Sequence, residues 1–237
     1  AALYPLSYGG RRRQASTVSQ VPAAAQVRLV RAVLGWTTED SMTPGAVLRD
    51  RIAAREALLV PGCPNALAAR IAVDLGYEAL YVTGAGVTNM SLGLPDQAFM
   101  GLSDIADHTA RIRDAVELPL IVDADTGFGN ALNTYHTVRT LERAGADCIQ
   151  LEDQVSPKRC GHFSGKDVIA TDEMLGKIRA ACDARHDPDL MIMARTDALA
   201  VEGLEAAIER AVACVEAGAD MIFPEAITEL SMYKQFA

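Results

Sequence analysis

The sequence predicts an α/β protein of the (β/α)8 barrel type, short of its full set of strands. Three observations lead there. Half of the 237 residues are hydrophobic but only 5% are aromatic, a balance that suits aliphatic α/β layering better than an aromatic-rich β-sandwich. From residue 56 onward, short β-branched or aliphatic runs alternate with longer segments of helical period, the pattern of a parallel sheet with helices outside it. Nearly every run also ends in polar residues: Thr83, Asp123 and Asp125, Glu152 and Asp153, Arg195 and Asp197, and Glu225. Functional groups at the C-terminal ends of successive strands mark a barrel active site.

Taken in order, residues 1–49 read as a basic arm and a lead-in helix, and residues 50–237 as the barrel. The expected strands are Leu58–Cys63, Ala79–Gly84, Leu118–Asp123, Cys148–Glu152, Leu190–Ala194 and Met221–Pro224. Amphipathic stretches lie between them at Asn65–Leu75, Ile105–Ala115, Thr134–Ala144, Thr171–Ala184 and Leu204–Ala217. Turn glycines 76, 145 and 218, spaced 69 and 73 residues apart, each follow a helix and precede a strand. That spacing is about two βα units of roughly 35 residues. A dinucleotide-binding sheet is disfavoured, because Asn89 stands where the third glycine of its fingerprint belongs. Six strands after residue 56 leave the barrel two short.

Charge narrows the function further. Residues 1–31 hold five arginines and no acid, which leaves 17 basic against 31 acidic residues for positions 32–237, a balance of −14. A body that acidic repels nucleic acid and anionic membranes, and no apolar run reaches the length of a membrane span. The expected location is the cytoplasm, or the mitochondrial matrix if the basic arm is a transit peptide. Five irregularly spaced cysteines without a CxxC pair point to a reducing compartment.

Four constellations carry chemistry. In "VDADTGFGN" (122–130), Asp123 and Asp125 share a strand end, and Glu152 ends the next strand. Three like charges at short range call for a cation, and all-oxygen ligation favours Mg²⁺ or Mn²⁺; the alternative is that the acids cap helix N-termini and pair with Arg or Lys. In "SPKRCGHFSGK" (156–166), Cys160 is flanked by Lys158, Arg159 and His162, neighbours that favour a reactive thiolate; a cysteine-hydrolase pairing of Cys160 with His162 stays open. In "MARTDA" (193–198), Arg195 can grip a carboxylate or pair with Asp153 or Glu225. In "YVTGAG" (81–86), Thr83 and the amides of Gly84 and Ala85 could hold a carboxylate, while Tyr81 is a core aromatic or a phenolic acid/base. Together they suit cleavage or formation of a carbon–carbon bond beside carboxylates.

At these residues the chain resembles the isocitrate lyase/phosphoenolpyruvate mutase superfamily. The matching segments are "YVTGAGV…LGLPD", "VDADTGFGN", "LEDQVSPKRCGH", "MARTDALAVEGLEAAIERA" and "FPEAITELSMYKQFA", in family order over about residues 50–237. The resemblance implies a (β/α)8 barrel with Mg²⁺ held by Asp123, Asp125 and Glu152, directly or through water, and Asp96 nearby. It implies a small carboxylate substrate surrounded by Thr83, Gly84, Ala85, Gly161, Arg195 and Glu225, with Tyr81 as candidate base and Cys160 as the acid. It further implies a homo-oligomer, since relatives are usually tetramers. The "KRCGH" loop resembles the lyase branch, and the segments around it are most similar to methylisocitrate lyases. After His162, however, those enzymes typically continue with Arg-Pro; here Phe163-Ser164-Gly165-Lys166 is more similar to 2,3-dimethylmalate lyases or oxaloacetate-hydrolysing relatives.

Relatives continue beyond the "MYKQFA" helix into a seventh strand, whereas "ALYPLS" (2–7) resembles their eighth-strand segment displaced to the N-terminus. The missing strand motivates a reading from another class: an inactive barrel fragment serving as a binding or assembly partner.

Overall fold

A computed structural model describes residues 42–55, 57–161, 163 and 165–236. The expected "ALYPLS" segment and His162 lie outside the described residues. Six parallel strands form one sheet in sequence order: β1 (Gly62–Cys63), β2 (Leu80–Val82), β3 (Leu120–Asp123), β4 (Cys148–Glu152), β5 (Met191–Thr196) and β6 (Met221–Pro224). Each strand pairs with the next, and among the described residues no pairing joins β6 back to β1. The sheet is a barrel wall that is not closed.

Helices fill the crossovers. They are α1 (Pro44–Ala53) before the first strand, α2 (Ala66–Asp74), α3 (Gly84–Leu92), α4 (Leu102–Ala115), α5 (Ala131–Arg143), α6 (Thr171–Ala184), α7 (Ala198–Val201), α8 (Leu204–Glu216) and α9 (Leu230–Phe236). Capping explains several boundaries. Thr43 and Asn65 accept hydrogen bonds from Ala46 N and Ala68 N at the starts of α1 and α2. Asn130 caps Leu132 and Asn133 at the start of α5. Helix α3 lies outside the amphipathic stretches expected from the sequence. Thr83 Oγ1 accepts from Gly86 N, and Gly93 closes the helix in the left-handed conformation.

Strand alternation divides the interior in two. Leu80, Val82, Leu120, Val122, Ile149, Leu151, Ile192 and Ala194 face the surrounding helices and form the larger core. The opposite face carries Tyr81, Ile121, Cys148, Met191, Met193 and Met221, and Leu48 and Ile52 of α1 pack into it. Helix α1 therefore plugs the N-terminal end of the wall. Arg49 fastens it, reaching Asp220 at 3.1 Å and the Pro188 carbonyl at 3.3 Å.

Towards the C-terminal ends the same inward face turns polar. Asp123 lies level with Gln150, and Glu152 lies level with Arg195 and Phe223. The register thus stacks the apolar floor beneath two tiers of functional side chains.

Candidate active site

A cavity of about 530 Å³ opens at the C-terminal ends of the strands. Its mouth is lined by Thr83, Ala85, Asp96, Asp123, Cys160, Gly161, Arg195 and Glu225, with Tyr81 lower on the wall. Sequence reasoning pointed to all of these residues, and one cavity gathers them.

The acidic loop after β3 is built under backbone constraint. Asp125 and Phe128 adopt positive φ (46° and 56°), as do Gly127 and Gly129, and such conformations persist only where surroundings fix them. The Thr137 hydroxyl donates to the Gly127 carbonyl at 3.0 Å, and Lys177 Nζ to the Thr126 carbonyl at 3.1 Å. Asp123 accepts from Gly84 N at 3.2 Å, from Asp125 N at 3.2 Å and from Gln150 Nε2 at 3.4 Å. The Gly84 amide expected to grip a carboxylate is thus engaged by Asp123, and Thr83 is occupied as the α3 cap.

Asp125 and Glu152 are buried among like charges. Burial, then the charge of Asp123, pushes Asp125 up to about 7 against the opposing pull of Lys158. Burial likewise drives Glu152 well above the ordinary carboxylate range, although Arg195 and Lys158 oppose it. Lys158 Nζ lies 2.8 Å from Asp125 Oδ1 and 2.7 Å from Asp96 Oδ1. The Asp125 contact is a close charge pair, and no other hydrogen-bond partner meets that oxygen among the described residues. Glu152 Oε1 is buried and has no hydrogen-bond partner among the described residues. Among the described residues these carboxylates do not already converge as a metal cage. Still, buried hard oxygens, with Glu152 Oε1 unpartnered among the described residues, suit an oxygen-seeking divalent cation.

Arg195 is the second charged hub. It hydrogen-bonds Asp197 at 3.0 and 3.2 Å and lies 3.2 Å from Glu225 and 3.4 Å from Glu152, with its guanidinium over the Phe223 ring. Its ion pairs therefore include the anticipated Glu225 but not Asp153. Asp153 instead braces the wall, accepting from the Thr196 hydroxyl at 2.7 Å and Asp197 N at 2.9 Å.

Gln150 escaped sequence reasoning. It is fully buried, accepts from the Tyr81 hydroxyl at 2.8 Å and donates to Asp123. Burial, followed by the charge of Asp123, keeps the Tyr81 phenol protonated well above its ordinary range. A lone glutamine inside a strand carries no sequence signature; only its inward register reveals it.

Cys160 sits in the segment between β4 and α6, half-buried at the cavity mouth. A Cβ on the adjacent Gly161 would come within 2.5 Å of Glu225 Cδ and 2.7 Å of Arg195 Nη2. A side chain here would displace the two charged ends that this backbone now approaches.

The sequence profile of the phosphoenolpyruvate phosphomutase family matches residues 48–237. The chain belongs to the phosphoenolpyruvate mutase/isocitrate lyase superfamily. The 2-methylisocitrate lyase of Vibrio cholerae is 50% identical over 197 residues, 83% of this chain and 64% of that protein. The 2,3-dimethylmalate lyase of Eubacterium barkeri is 45% identical over 184 residues, 78% of this chain and 64% of that protein. The chain thus spans just under two thirds of the length of these relatives.

Solved structures agree. A crystal structure of 2,3-dimethylmalate lyase, a superfamily member, superposes with TM-score 0.78 at 36% identity, covering 83% of this chain and 66% of that one. Oxaloacetate acetylhydrolase with 3,3-difluorooxalacetate gives 0.77 at 39%, covering 82% and 67%. Phosphonopyruvate hydrolase with oxalate and Mg²⁺ gives 0.75 at 32%, covering 82% and 68%. Among the described residues, no helix is long and apolar enough to cross a membrane.

Proposed function

We propose that the chain carries the site of a Mg²⁺-dependent carbon–carbon lyase that cleaves a 2-hydroxy carboxylate such as 2-methylisocitrate to pyruvate and succinate. The observation that carries the reading is the shared cavity, whose lining brings carboxylates, Arg195 and the Cys160 thiol together. Asp123, Asp125 and Glu152 would hold Mg²⁺ or Mn²⁺, directly or through water, with Asp96 nearby; when bound, the ion would polarise the substrate's 2-oxygen.

The remaining roles fall to the chain's own side chains. Arg195 binds a substrate carboxylate, using charge now shared among Asp197, Glu225 and Glu152. Thr83, Gly84, Ala85 and Gly161 form the surrounding wall. A base takes the 2-hydroxyl proton, the O–H electron pair becomes the carbonyl, and the C–C electron pair departs with the succinate fragment. The Cys160 thiol then delivers its proton to that carbanion. The family resemblance makes Tyr81 the candidate base, a role that would require its phenol first to lose the proton it donates to Gln150. His162 stands two residues from the thiol in sequence, and a metal-independent pairing with Cys160 is the competing use of this loop.

Coupled detection of pyruvate from 2-methylisocitrate tests the reading. Turnover is expected to vanish with EDTA and to fall by about a hundredfold or more in Cys160→Ser. Full turnover in EDTA, or in the serine variant, would overturn it. Phe163-Ser164-Gly165-Lys166 supports a second reading, a 2,3-dimethylmalate lyase or oxaloacetate hydrolase on the same site, and the relatives of those names add to it. Acetate and oxalate as products would select the hydrolase. The third reading, an inactive barrel serving in assembly, predicts no turnover of any of these acids. Bacterial relatives such as the Vibrio cholerae enzyme favour the cytoplasm over a mitochondrial matrix. A tetramer, as the family resemblance suggests, would be read from mass by light scattering.

A further inference from the structure

Lys166 is a buried cation that the proposed chemistry does not use. Its side chain is 3% exposed, and its Nζ donates to the Gly161 carbonyl at 2.7 Å and to Asp197 Oδ1 at 2.6 Å. Asp197 does not need Lys166 for neutralisation alone, because Arg195 already donates to both of its oxygens. Burial opposes ionisation of Asp197, but the hydrogen bonds and charge of Arg195, joined by Lys166, outweigh it and hold the carboxyl below its ordinary range. Asp197 is itself fixed from behind, its backbone N–H donating to Asp153.

The segment carrying Cys160 is anchored at several points. At its neck, Gln154 pairs with Val168, and Val155 N donates to the Asp167 carbonyl at 2.9 Å. Buried Gln154 clamps Arg159 through both backbone groups at 2.9 Å. Lys158 then ties the segment to Asp96 and Asp125 on one side of Cys160, and Lys166 ties it to Asp197 on the other. Lys158 touches the carboxylates assigned to the cation and belongs to the site already described. Lys166 touches none of them.

We propose that Lys166 is a positioning residue, which tethers the Gly161 carbonyl to Asp197 and thereby holds the Cys160 thiol at the mouth of the cavity in register with Arg195. The kinetic part rests on the lyase reading; the placement of the thiol does not. Removing the tether leaves the Gly161 carbonyl without its donor and frees the backbone beside the thiol. Small displacements of a reacting group cost rates of roughly tenfold to a hundredfold.

The test uses the intact chain with Lys166→Met, which keeps the length and loses the donor, and Lys166→Arg, which restores a cationic donor. Three quantities are read: deuterium uptake over residues 155–161, the iodoacetamide labelling rate of Cys160 by peptide mass spectrometry, and kcat and KM separately. Lys166→Met is expected to raise uptake and labelling about fivefold and to lower kcat by roughly tenfold to a hundredfold, with KM within about threefold; Lys166→Arg should recover part of each. If Lys166→Met does not fold, Lys166→Gln takes its place in the same measurements. Uptake and labelling at the wild-type rate in a folded variant would overturn the proposal and leave Lys166 a counter-ion. If the wild type shows no turnover the lyase reading fails, while uptake and labelling still decide the role of Lys166.

Discussion

At the scale of single residues, burial separates the five cysteines along the same line as their sequence neighbours, with Cys160 apart from the buried ones. Cys63, Cys148 and Cys214 are buried at 2%, 0% and 2% exposure, whereas Cys160 and Cys182 are partly exposed. Burial, reinforced by Asp153 and opposed by Arg210, pushes the Cys214 thiol from 9.0 up to about 11. The thiolate is the reactive form, so at pH 8 Cys214 carries roughly a hundredth of the thiolate of a thiol at 9.0. Iodoacetamide on the native protein at pH 8 should therefore label Cys160 first and leave Cys63, Cys148 and Cys214 unmodified until denaturant is added. The sign for stability follows from the same shift. The unfolded thiol ionises first, so the contribution of buried Cys214 is complete below about 9 and is lost as pH rises through about 11. The residue scale is also where sequence reading ran thinnest. Gln150, Lys166 and the brace role of Asp153 depend on which way a strand faces and on what lies across the cavity, and composition records neither.

At the scale of elements, most of the architecture was legible. The expected strands contain or nearly coincide with β1 to β6, and the expected helix Thr171–Ala184 matches α6 at both ends. Periodicity is a reliable signal when an element is long and one-sided. Helix α3 was not legible, because "GAGVTNMSL" has weak helix formers and little apolar stripe; its start is fixed by the Thr83 cap and by Asp123 receiving the Gly84 amide. Helix α1 shows a different limit. Its role as a plug comes from Leu48, which is fully buried, and from Ile52, packed against a cluster drawn from Ala79, Ile121, Cys148, Met191 and Met193. Leu48→Ala is expected to destabilise the fold by about 2–5 kcal/mol through the cavity it leaves. Urea unfolding monitored by circular dichroism checks this, and a loss within error of zero would mean that α1 is not seated in the wall.

At the scale of the whole molecule, stability and chemistry occupy opposite ends of one wall. The acid excess of positions 32–237 includes Asp123, Asp125 and Glu152, whose burial is unfavourable without a compensating charge. Lys158 and Arg195 supply part of that charge. A divalent cation that binds only the folded chain would add stability by mass action, about 2.7 kcal/mol at a hundred times its Kd. For a chain of this size that is a rise in melting temperature of at least about 5 °C. Thermal unfolding with and without MgCl₂ should show the rise in the wild type and lose it in Asp123→Asn. An equal rise in both proteins would assign the effect to salt.

The cavity above α1 has one more consequence, and it concerns inhibitors. Leu48, Ile52, Leu58, Val60, Met193 and Met221 line the same 530 Å³ space as Cys160 and Arg195. The charged residues Asp123, Arg195 and Glu225 and this aliphatic set share one well. A carboxylate head carrying a short alkyl tail can engage Arg195 above and the aliphatic floor below, so chain-length scanning of 2-alkyl acids offers a direct route to tight-binding ligands.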